Sequence, residues 1–192
     1  MAIENLTLAP YYSGTRNPFN YQKVEQINRD ISTEWLTLDE ITQQLNLFQD
    51  ESQDQYLSSL ELATRMAIED YLGISMFTTT YKVYYGDPGL NGTSIYLDLP
   101  ETGYASQGAG TTINKVEYYT GQNTAVVQTL ASSNYFYDAT GNRVVVSAGL
   151  PSPLAQSVAN PVVVTYTVGS NLLAQFPVIK QAGLLLFTHL YN

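Results

Sequence analysis

The 192-residue chain has no cysteine, which excludes disulfides, thiolate nucleophiles and cysteine-bound zinc. Positive charge is scarce. Eight Lys and Arg stand against 17 Asp and Glu, for a net charge of −9, and a field of that sign repels a nucleic acid backbone. Histidine occurs once, as His189 in an apolar stretch, where it reads as a packed or interface imidazole rather than a base with oriented partners. There is no His pair at metal spacing and no Gly-x-Ser-x-Gly motif. Long apolar runs are missing too: the longest, Leu184 to Phe187, is far short of a membrane span. The opening MAIENLTLAP lacks the basic-then-apolar order of a secretion signal. The expectation is a protein made and used in a cytoplasm, or inside a particle assembled there.

The chemistry that remains possible is soon exhausted. Asp39-Glu40 and Glu69-Asp70 are neighbours in predicted helices, so their carboxylates point about 100° apart and are not placed for paired acid–base work. Asp50, Glu51 and Asp54 lack the glycine and closing glutamate of a calcium loop. Gly108-Ala109-Gly110 has no following Lys-Ser/Thr and leads into a strand, so it is no phosphate loop. These residues argue for no enzyme, no metal and no cofactor.

What is abundant is tyrosine, 16 residues beside six Phe and one Trp. Such rings suit half-buried sheet faces and protein contacts, because the ring is apolar and the hydroxyl tolerates water. Acid is concentrated as well. Residues 34–70 hold nine carboxylates against Arg65 alone, which is −8 of the total −9. The segment is helical by pattern. Thr37 and Glu40 have the spacing of a capping box, and Asp50, Glu51 and Asp54 cluster where a second helix starts. That helix runs to about Leu72, with Gly73 in place for a left-handed cap. Leu57, Leu60, Thr64, Ala67, Ile68 and Tyr71 form its expected buried face. Asp54, Glu61, Arg65 and Glu69 lie on the other side with Leu62 and Met66, an apolar pair that a fully wetted face does not need.

Residues 1–34 have scattered aromatics but no sustained period, and read as an arm that orders against a partner. After Gly73 the period turns to that of strands. Seven are expected: Phe77–Tyr85, Ile95–Leu99, a hairpin of Ile113–Tyr119 with Ala125–Leu130, a second of Tyr135–Asp138 with Arg143–Ser147, and Pro161–Thr167. Pro177 then opens a closing helix, Val178 to about Tyr191, apolar nearly all round and so expected to be buried on nearly every side. Its economical partner is the Leu57–Tyr71 helix, with Gly183 allowing the backbones to approach. The fold class is α+β: a small helical bundle (35–73 with 177–192) carrying an inserted antiparallel β-sandwich or rolled sheet (74–176).

Two signatures in this order carry a resemblance. Leu36-Thr37-Leu38-Asp39-Glu40, then Asp50-Glu51 and a helix ending Ala67-Ile68-Glu69-Asp70-Tyr71-Leu72-Gly73, make the first. Val164-Thr165-Tyr166-Thr167-Val168-Gly169, a short loop and Pro177-Val178-Ile179-Lys180-Gln181-Ala182 make the second. Together, over roughly residues 35–192, the chain resembles the head-to-tail connector (adaptor) proteins of tailed bacteriophages.

That resemblance implies a structural virion protein in the neck, assembled in the host cytoplasm. It would form a ring, usually twelve-fold, beneath the portal protein, join a tail or stopper protein, and let DNA pass without specific binding. It also implies a portal-gripping extension, for which Arg16, Pro18, Phe19 and Tyr21 of the arm are the candidates. An acidic helical layer repeated around a ring would put Asp54, Glu61 and Glu69 along the channel, and Leu62 with Met66 would form the subunit seam. The alternatives are a monomeric β-sandwich that binds carbohydrate through its tyrosines, and a tail-completion or stopper protein.

Overall fold

The computed structural model describes residues 20–47, 51–86, 95–103 and 110–192. The fold is α+β, with three helices and two antiparallel sheets among the described residues. The helices are α1 (Leu38–Leu45), α2 (Asp54–Leu72) and α3 (Pro177–Tyr191). The strands are β1 (Tyr21–Arg29), β2 (Thr79–Tyr85), β3 (Ile95–Asp98), β4 (Thr111–Thr120), β5 (Val126–Thr129), β6 (Tyr135–Asp138), β7 (Arg143–Val146) and β8 (Val162–Val168). Five pair in the order β1-β2-β8-β4-β5 and three in the order β3-β7-β6. Strand β1 is the one that composition misses: Tyr21–Arg29 is paired backbone at a sheet edge, not a patternless arm.

The chain forms two compact units. One holds the chain as far as Glu25 with Lys82–Pro100 and Ile113–Thr165; the other holds Gln26–Tyr81, Glu101–Thr112 and Tyr166–Asn192. In the first, β7 is the middle strand, and its Val144, Val145 and Val146 are buried. It pairs with β3 through Ile95–Val146 to Asp98–Arg143, and with β6 through Tyr135–Val146 to Asp138–Arg143. The β4–β5 hairpin turns at Gly121, whose φ of 99° needs a residue without Cβ. Both hairpins lie where turn chemistry predicts them.

The second unit contains the helices. Thr37 and Glu40 form the expected capping box on α1. Gly73 ends α2 in the left-handed region at φ 67°. Helix α3 begins at Pro177 and packs against both α1 and α2. Their shared core is Trp35, Leu36, Ile41, Leu57, Met76 and Phe187.

Three expectations fail here, each for a packing reason. The buried arc of α2 is turned round the helix towards its charges: Leu57, Glu61, Thr64, Arg65 and Glu69 are buried, whereas Ala67 is exposed and Tyr71 is 88% exposed. Helix α3 buries only Gly183 and Phe187, leaving Val178, Leu185 and Leu190 exposed. Gly183 makes room not for another helix backbone but for the indole of Trp35.

Candidate interaction surfaces

Of the three acids expected along a channel, two are fasteners. Glu61 is 3% exposed, and its Oε1 accepts the backbone N–H groups of Trp35 at 3.0 Å and Leu36 at 3.2 Å. Burial raises its pKa, and the two N–H donors and the Arg65 charge partly offset that rise. Glu69 is 4% exposed and accepts the Met76 N–H at 2.7 Å while pairing with Arg29. Both side chains are turned inward rather than to solvent, against the expectation that Glu61 and Glu69 line a channel. Asp54 remains half-buried at the start of α2.

Between these acids lies Arg65, wholly buried. Its guanidinium donates to the carbonyl oxygens of Thr33 and Asp30, both at 2.6 Å, and rests 4.9 Å from the centre of the Phe77 ring. Asp30 in turn accepts the backbone N–H groups of Ser32 and Thr33 and both hydroxyls, which holds its carboxyl far below the ordinary carboxylate range. Segment 30–36 has no secondary structure of its own, and Glu61 and Arg65 of α2 bond four of its backbone groups, at Asp30, Thr33, Trp35 and Leu36. Helical spacing shows that Glu61, Arg65 and Glu69 share a side of the helix, but not that backbone outside the helix needs them.

A second buried polar cluster was not anticipated from the sequence. Glu101 accepts from the Ser75 backbone N–H at 2.7 Å and from the Tyr81 hydroxyl, and its carbonyl accepts from Tyr166 at 2.7 Å. Burial and the neighbouring Glu101 carboxylate push the Tyr81 hydroxyl pKa far up, so it stays a donor. Tyr81 and Tyr166 stack with centroids 5.5 Å apart. The cluster ties the stretch after α2 to β2 and β8. Its only sequence signal was the excess of tyrosine.

Large apolar side chains are also exposed, several of them on α3. On α3, Val178, Gln181, Ala182, Leu185 and His189 are exposed and recur on the side opposite Phe187. Leu62 and Met66, the candidate seam, are half-buried on α2. In the same unit a cleft of about 450 Å³ is lined by Trp35, Met76, Phe77 and Leu172, with Glu34 and Lys180 among its charged residues. Lys180 also pairs with Glu40 of α1. Tyr21 opens β1, while Arg16, Pro18 and Phe19 lie outside the described residues. Among the described residues, no group of three His, Cys, Asp or Glu could hold a metal ion, and no helix is long and apolar enough to cross a membrane.

No protein-family model and no curated protein matches the sequence. Among solved structures, the chain is similar to one described as the neck of an empty GTA particle computed with C6 symmetry. The TM-score is 0.57 at 19% identity, over 88% of this chain and 84% of that one. The two share a fold. Nearly the whole of each chain takes part, so the likeness includes helices and sheets together rather than one common motif.

Proposed function

We propose that this chain is a structural component of the neck of a phage-like particle, a head-to-tail adaptor that forms a ring beneath the portal and carries the tail. The observation that carries the reading is the shared fold with a chain from the neck of a GTA (gene transfer agent) particle. The two sequence signatures that resemble those of the connector proteins point the same way. The packing of α2 against α3 also brings the helix of the first signature and the helix of the second into one unit.

A ring of twelve copies fits this reading, because twelve-fold symmetry contains the six-fold operation used for the related neck. Leu62 and Met66 are the proposed seam, and the start of β1 with the residues before it the proposed grip on the portal. DNA would pass through the bore without sticking. The charge that repels it rests on exposed Asp39, Glu51 and Asp70 instead of Glu61 and Glu69. The role is structural, with no reaction assigned.

The test is electron microscopy of the chain mixed with purified portal rings. A collar of added density below the portal is expected. Density only at the far side of an already bound adaptor would assign the stopper role instead. No association with either component would refute a place in the neck.

A further inference from the structure

We propose that the open edge of β5 takes an extended segment of another protein as a further strand of its sheet. Strand β5 ends the order β1-β2-β8-β4-β5, so one of its sides has no strand beside it. Leu130 donates its N–H to the Val116 carbonyl at 2.8 Å, and Tyr119 turns its own N–H and carbonyl away from β5, to Pro161 and Ala155. Val127 lies opposite Tyr119 and Thr129 opposite Glu117. The alternation of an antiparallel pair therefore aims the N–H and C=O groups of Val127 and Thr129 at the open side. Among the described residues, no partner meets these four groups.

The other sheet edges are guarded, and this one is not. Strand β1 carries Lys23, Glu25 and Arg29, and β6 carries Asp138. On β3 the Asn20 side chain bonds the Asp98 N–H and the Tyr96 carbonyl where a strand would. Strand β5 has neither a charge nor a proline, the usual devices against pairing. All four of its residues are exposed, Val126 at 50% on one face and Val127 at 46% on the other. Charge is absent from the whole stretch Tyr118–Tyr137.

The groups on offer select the occupant. N–H and C=O pairs repeating every second residue are matched by extended backbone, whereas a helix uses its own groups internally. Phosphate would meet no cation here. Apolar side chains on both faces and the lack of charge suit a segment without net charge. A second copy does not fit. Strand β5 laid on its own copy is a like-on-like, two-fold contact, and neighbours in a larger ring meet through unlike surfaces. The unlike edge of the same sheet, β1, brings three charges. The argument from symmetry rests on the ring reading above; strand addition itself does not.

The test is an NMR titration of the isotope-labelled full-length chain with a capped 10-residue peptide copying β4, a sequence that already pairs with β5 and in which Lys115 and Glu117 cancel. Val127→Pro removes an outward N–H and leaves the ladder to β4 intact. Val127→Lys keeps that N–H and puts a charge on the edge, so it still decides the matter if the proline variant unfolds. Expected are shifts and slowed exchange at the Val127 and Thr129 amides of the wild type, with peptide binding at least fivefold weaker in both variants. No change at these amides up to about 5 mM peptide overturns the proposal. Equal binding by all three proteins does so too, as do shifts confined to Val126 and Gln128, which would mean that the peptide displaces β4. Protection of the two amides without peptide, growing with protein concentration, gives the edge to a second copy and overturns the choice of partner. The portal-mixing experiment fails separately: a missing collar with peptide bound removes the adaptor and keeps the edge, and a collar without peptide binding does the reverse.

Discussion

Trp35 and Gly183 share one space: a Cβ on Gly183 would lie 2.2 Å from Cη2 and 2.5 Å from Cζ3 of the Trp35 indole. The tryptophan belongs to the stretch before α1 and the glycine to the middle of α3, so this contact fits the last helix onto the first structured turn of the unit.

Gly183→Ala therefore separates two opposed effects. Helix propensity favours alanine by about 1 kcal/mol, whereas forcing a methyl into a filled space costs about 1–3 kcal/mol. The indole is rigid and 6% exposed, so the steric cost prevails. A net loss of up to about 2 kcal/mol is expected by thermal or urea unfolding. A stabilised variant would show that Trp35 can move aside.

Arg65→Met should be among the most damaging single changes in α2. It keeps most of the apolar volume but strips the carbonyls of Asp30 and Thr33 of their donor, leaving two backbone acceptors unpaired. About 2–6 kcal/mol of stability is expected to go, since each of the two unmet groups costs about 1–3 kcal/mol. Arg65→Lys should lie between the two, because an ammonium is a point charge and cannot span both carbonyls as a guanidinium does. Urea midpoints for the three proteins should fall in the order Arg, Lys, Met.

Glu61 makes stability depend on pH in a direction opposite to most paired acids. Its folded pKa is raised above the ordinary 4.5, so the folded chain holds this proton more tightly than the unfolded chain. The contribution is present in full below 4.5 and is lost as pH rises through the folded value. Glu61→Gln keeps an oxygen to accept from Trp35 and Leu36 and removes the buried charge. Its stability relative to wild type should thus improve as pH rises from 4 to 7, as read by urea unfolding at each pH. Glu61→Ala should be destabilised throughout that range by about 1–3 kcal/mol.

The alkaline limb belongs to Tyr81. Its hydroxyl is raised above the ordinary 10.0, so the unfolded chain ionises first and stability declines as pH climbs past 10. Tyr81→Phe should cost about 1 kcal/mol at pH 7 for the lost hydrogen bond to Glu101. It should also flatten the decline at alkaline pH. The difference between the two pH profiles isolates Tyr81 from the other 15 tyrosines.

Local rules were legible wherever a residue acts on its near neighbours in the chain. The Thr37–Glu40 box, the Gly73 cap, Pro177 at the start of α3 and both hairpin turns all depend on backbone groups within a few positions. The run Val162–Val168 reads as a central strand because a strand covered on both sides has no reason to alternate, and β8 is the middle of five. Strand β1 was hidden because Val24 and Ile27 are exposed at 38% and 52%, so burial imposes no two-residue period on Tyr21–Arg29.

The sequence by itself determined the fold class, seven of the eight described strands, the three helices and the sides of each helix that could be apolar. Tertiary structure alone decided which of those sides faces inward. A helical wheel ranks faces by hydrophobicity, but the loop at 30–36 and the stretch after α2 needed hydrogen-bond partners, which Glu61 and Arg65 supply to the first and Glu69 to the second at Met76. Unpaired buried backbone groups cost more than the apolar burial lost at Ala67 and Tyr71, so the charged side of α2 lies inside. On α3 the core had room for one face only, around Phe187, and the opposite face, with Val178 and Leu185 beside Gln181 and His189, was left outside.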